Sequence, residues 1–133
     1  MANALYDKGR DAFLNGGINW NSDNIKACLV SSSYTPNLAT HQYYTDLGAN
    51  VVATSANLSG KSSSAGVANA SGPTFTSVSG AACNYLVLYK DTGTGSTSPL
   101  ICCIDTATGL PVTPNGGNIT VTWDTGASKI FKL

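Results

Sequence analysis

Apolar residues in this chain come in short runs, each closed by glycine, proline, serine or asparagine, and that punctuation predicts a protein built of short antiparallel strands. The cleanest alternation lies late in the chain. Ile119, Val121 and Trp123 interleave with Thr120, Thr122 and Asp124, the period of two expected of a strand with one face on a core. Residues 82–89 and 99–105 are apolar at nearly every position, which predicts a hairpin whose two strands are covered on both faces and joined by the polar turn 91–98. Residues 25–30, 51–58, 74–78 and the terminal 129–133 predict further strands, and 59–70 predicts short strands around the turns Ser59-Gly60-Lys61 and Ser64-Ala65-Gly66. Residues 37–47 fit a short helix or an irregular segment equally well.

One helical period stands apart. Over residues 4–15, with Asn3 as N-cap, Leu5, Gly9, Ala12 and Phe13 share a face while Asp7, Lys8, Arg10 and Asp11 cover the other. Gly16-Gly17 supplies the stop. A glycine inside a helix costs about 1 kcal/mol against alanine, so Gly9 marks a place where the helix comes very close to a sheet or a neighbouring subunit. The expected fold is therefore an all-β antiparallel sandwich, with a jelly roll as its more elaborate form, in one domain spanning 1–133: a helix at 4–15 and the sandwich from 25 to 133.

Composition changes the picture chiefly through charge. Only 11% of the residues are charged, and seven basic residues balance seven acidic ones. That argues against nucleic acid and against a polybasic membrane patch. The polar surface must consist largely of Ser, Thr, Asn and Gly, which suits a protein packed against copies of itself or a partner. The start has no basic stretch followed by an apolar run, so no secretory signal is expected, and no apolar segment is long enough to span a bilayer.

Candidate chemistry is sparse. Cys28, Cys83, Cys102 and Cys103 form no CxxC, and His41 is the single histidine, so a zinc site has no support. All four cysteines sit in apolar runs and read as buried, reduced thiols. Cys102 and Cys103, adjacent on a strand, must face opposite sides. His41 has no acid or thiol at triad or metal spacing. The triplet Asp-Thr-Gly occurs twice, at 91–93 and 124–126, and the second copy continues Ala127-Ser128 as the aspartic-protease motif does. In that family a flap and a buttressing strand follow, whereas seven residues follow Gly126 here, so both copies read as turns in which Asp binds its own backbone and Gly takes a positive φ. Asp105, Thr106, Thr108 and Gly116-Gly117 are a weak calcium candidate, read here as a turn. Trp20, Tyr43 and Tyr44 are candidate stacking platforms for a glycan or receptor, with packing in a core or subunit contact as the plainer role. No catalytic, cofactor-binding or metal-ligating residue is assigned.

Two stretches carry a resemblance. MANALYDKGRDAFLNGGINW at the start and IDTATGLPVTPNGGNITVTWDTGASKIFKL at the close resemble small structural proteins encoded by tailed bacteriophages, and together they cover somewhat over a third of the chain. The resemblance implies a virion component assembled in the host cytoplasm and brings no catalytic residues with it. Its most specific form is a capsid decoration or cement protein that binds the major capsid protein and copies of itself. A tail or baseplate component, or a glycan- or receptor-binding module, are the alternatives.

Overall fold

The computed structural model describes residues 4–105, 107–123 and 130–132. Its centre is a five-stranded antiparallel sheet in the order β1-β8-β7-β2-β3, formed by Ala4–Leu5, Leu100–Ile104, Cys83–Lys90, Ile25–Ser31 and Val51–Thr54. Two small antiparallel ladders accompany it. One has the order β10-β5-β4 (Phe131–Lys132, Val67–Asn69, Ser62–Ser64), and the other pairs β6, Thr74–Phe75, with β9, Ile119–Thr120. The apolar runs at 82–89 and 99–105 do form adjacent antiparallel strands at the middle of the sheet, and β8 is buried along its whole length.

Register explains why these strands lack a polar face. Ala27, Leu88, Cys102 and Leu5 stand in one row across four strands and belong to one apolar cluster, which includes Trp20, Phe75, Val121 and Phe131. In the next row Cys28, Val87 and Cys103 point the other way, into a second cluster with Tyr6, Tyr34, Leu47 and Leu100. A sheet covered on both sides needs apolar residues at odd and even positions alike. Cys102 and Cys103 thus occupy opposite faces, as their adjacency requires.

Three expected boundaries change. The helix α1 runs over Asp7–Leu14, not 4–15, because Ala4 and Leu5 pair with Cys103 and Cys102 as a sheet strand and Tyr6 takes the extended N-cap position. The helix and the β region are consequently not separate in sequence. Asn3, the expected cap, lies outside the described residues. The strand expected over 74–78 ends at Phe75, since Ser77 turns the chain at φ 50°. The one expected over 51–58 ends at Thr54, after which Ser55 and Leu58 donate to Ala27 and Ile25. Residues 37–47 become a turn followed by a kinked 3-10 segment, Tyr44–Asn50, held by the Asp46 carboxylate, which accepts from the backbone N–H groups of Gln42 (2.7 Å) and Tyr43 (2.9 Å).

α1 covers the edge of β8 where β1 has ended. The Tyr6 N–H donates to the Ile101 carbonyl at 3.0 Å, and Gly9 sits directly over Leu100 and Ile101. Covering an exposed edge in this way blocks edge-to-edge association. The late strand keeps its alternation: Ile119, Val121 and Trp123 are buried while Thr120 and Thr122 are exposed.

Candidate functional site

The first Asp-Thr-Gly triplet is a turn. Asp91 Oδ1 accepts from the Gly93 N–H at 2.9 Å, Gly93 takes φ 91°, and Asp91 Oδ2 meets Lys26 Nζ at 2.8 Å. The second triplet, Asp124-Thr125-Gly126, lies outside the described residues. The lysine bond and then the Gly93 N–H hold the Asp91 carboxyl below its ordinary range. Asp46 is held low first by the Gln42 and Tyr43 N–H groups, and for Asp23 a burial effect that would raise it is outweighed by the Asn19 N–H and Lys90. Groups depressed in the fold contribute stability above the unfolded carboxylate value of about 3.9 and lose it as pH falls through their folded values. Urea midpoints should accordingly be flat from neutral pH to about 5 and decline below about 4, and a midpoint that rises on acidification would contradict these contacts.

His41 belongs to a hydrogen-bonded chain leading inward. Its Nδ1 lies 2.7 Å from the Tyr34 hydroxyl and accepts from the Asn37 N–H at 3.3 Å, and the Tyr34 hydroxyl lies 2.8 Å from that of the fully buried Tyr6. The imidazole thus accepts the hydrogen bond that ends the chain running out from the buried tyrosine pair, a structural use of the residue. All four thiols are free and buried. Burial pushes the Cys103 thiol up to about 12 and raises Cys28, Cys83 and Cys102 as well. A thiolate is the reactive form, so a disulfide reagent at pH 8 should titrate none of the four in the native protein and all of them in guanidinium. Rapid native reaction of any of them would show that its strand opens locally.

Among the described residues, no three His, Cys, Asp or Glu side chains cluster as metal ligands. The parts of the calcium candidate have separate backbone partners. Thr108 exchanges backbone hydrogen bonds with Thr122 (2.9 and 3.1 Å), whereas Gly116 and Gly117 bond Val78 (2.6 and 3.0 Å), and Thr106 lies outside the described residues. Val112 likewise exchanges bonds with Cys83. The turn-rich connection after β8 is therefore laced to neighbouring segments along its length.

The aromatic candidates divide. Tyr44 packs on Tyr89 with ring centroids 4.7 Å apart. Trp20 is 6% exposed, stands edge-on to Phe131 at 5.2 Å, and its indole N–H reaches the carbonyls of Ser62 (3.1 Å) and Asn69 (3.2 Å). It is a packing residue and offers no open ring face for stacking. Tyr43 is half-buried and lines a cleft of about 350 Å³ with Lys8, Asp11 and Gln42. A larger cleft, about 440 Å³, opens between the end of α1, the segment 18–21 and the β4–β5 hairpin. Phe13, Trp20 and Phe131 form its apolar wall, and Asn19, Asn21 and Ser64 contribute polar groups. The sequence reading did not find this cleft, although the turn Ser64-Ala65-Gly66 that forms one side of it was legible. Nothing in the sequence brings that turn to the end of the helix. Compared with known proteins, the chain matches no family model and no curated protein.

Proposed function

We propose that this protein is a structural component of a tailed-bacteriophage virion, and specifically a decoration or cement protein that binds the major capsid protein and further copies of itself, with no part in binding nucleic acid or membrane. The observation that carries this reading is the surface. Only 11% of residues are charged, Asp23 and Asp91 are engaged by Lys90 and Lys26, and the exposed polar residues are mainly Ser, Thr and Asn. Such a surface can be buried in an assembly at little charge-desolvation cost, and many weak contacts at symmetry-related positions add up. The two stretches that resemble phage structural proteins also meet in space, where Phe13 and Trp20 pack on Phe131 at 5.7 and 5.2 Å. We read the five-stranded sheet and its accompanying ladders as a β-sandwich, an architecture suited to sitting on a shell.

Leu14 is the natural contact residue. At the end of α1 it is 86% exposed, the one large hydrophobic side chain so placed among the described residues. Purified heads should contain the protein in many copies, and heads lacking it should lose DNA at a lower temperature and recover on adding it back. Leu14→Asp should weaken that recovery at least tenfold with the urea midpoint unchanged. Absence of the protein from purified heads, or equal stability of heads that lack it, would refute the reading.

A further inference from the structure

We infer that the 440 Å³ cleft between α1 and the β4–β5 hairpin is a binding site for a neutral saccharide unit. The inference rests on the lining and is independent of the virion reading. The volume lies within the range of small-molecule sites, about 300–1,000 Å³. Among the described residues, no ionisable side chain lines it. Charges on the adjoining segment are engaged: Lys90 Nζ pairs with Asp23 at 3.2 Å and donates to the Gly17 carbonyl at 2.8 Å, and Lys61 donates to the Asp23 carbonyl. From the lining residues described, a phosphate or carboxylate would therefore meet no counter-charge, and an ammonium no anion.

What remains is an apolar wall beneath a neutral polar rim. Phe13 is half-buried and held by Phe131 at 5.7 Å, so it presents part of a fixed ring to the cleft. On the rim, Asn21 Nδ2 is only weakly engaged, 3.4 Å from Ser63 Oγ. Asn19 Oδ1 accepts from the N–H groups of Asn21 (3.2 Å) and Ser22 (3.3 Å), which fixes the amide. Its Nδ2 and the Ser64 hydroxyl take up no hydrogen bond from the described residues. The hairpin tip, Ala65 and Gly66 at φ 52° and 80°, is a tight two-residue turn of the primed type and holds that side of the cleft rigid. A sugar ring has one apolar face and a girdle of hydroxyls that both donate and accept, which matches one aromatic ring flanked by amides and a hydroxyl. A purely apolar ligand would leave those amides unpaired.

The experiment is a titration of the ¹⁵N-labelled full chain with D-glucose, D-galactose, D-mannose, N-acetyl-D-glucosamine and their β1,4-linked disaccharides. At least one sugar should produce saturable shifts at the Trp20 indole N–H, the Asn21 side-chain amide and the amides of residues 63–66. Ser64→Arg, which introduces a long charged chain at an exposed position, and Asn21→Ala should each weaken binding at least tenfold while leaving the urea midpoint unchanged. Absence of any saturable shift up to about 20 mM sugar, a range that reads millimolar affinities, would overturn the assignment. So would binding that survives both substitutions, or tighter binding of glucose 6-phosphate than of glucose.

Discussion

Gly9→Ala will destabilise this protein by about 2–3 kcal/mol, the size of an overpacking penalty, even though alanine is the better helix former. The two effects are opposed, and their magnitudes decide the sign. Helix propensity favours alanine by about 1 kcal/mol. Against that, a Cβ at position 9 would stand 2.6 Å from the Leu100 carbonyl oxygen and 2.9 Å from that of Ile101. Both are backbone atoms of β8, which is held between β1 and β7, and they cannot rotate aside as a side chain would. The helix must lift instead, loosening Ala12 and Phe13 from the core and stretching the bond from the Tyr6 N–H to Ile101. Urea unfolding of Gly9→Ala beside Lys8→Ala tests this. The exposed Lys8 should tolerate alanine within about 0.5 kcal/mol, and a Gly9→Ala variant as stable as the native chain would mean that α1 does not lie against β8.

Trp20→Ala should cost more, about 3–5 kcal/mol, the range for removing a large aromatic from a core. Its ring joins parts of the chain that share no hydrogen-bond ladder with the central sheet. The indole N–H bonds carbonyls of β4 and β5, and the ring edge meets Phe131 of β10. Trp20→Phe keeps most of the apolar surface and forfeits the one donor that the Ser62 and Asn69 carbonyls share, and should cost about 1 kcal/mol. The gradation separates packing from a ligand platform. A stacking residue on an open surface would tolerate both substitutions with little loss of stability, and that outcome would show Trp20 to be free of the core.

Much of the β architecture was legible in local pattern. The unbroken apolar character of 82–89 and 99–105 announced central strands covered on both sides, and the adjacent Cys102 and Cys103 had to divide between two faces. Gly9 announced a close approach without naming what approached. The turn at Asp91-Thr92-Gly93 was legible because Asx and glycine chemistry acts within three residues. Errors fell where a short segment has no period to read. Ala4 and Leu5 fit the helical face as well as a strand, and only β8, about a hundred residues away, offers them hydrogen-bond partners that make them sheet. Ser77 looked like strand and instead turns the chain, its N–H donating to Asn118 Oδ1.

The sequence by itself determined the class of this protein: short antiparallel strands around an apolar interior, a charge-poor composition, and thiols buried in apolar runs. These follow from periodicity and composition, which act within a strand or over the whole surface. Only the tertiary structure decided which strands are neighbours, that His41 terminates a tyrosine chain, that Trp20 is a packing residue, and that a neutral cleft opens between α1 and the β4–β5 hairpin. Each of those joins residues that are distant in sequence. Such contacts form only where complementary surfaces are brought together by the fold, so no local pattern records them.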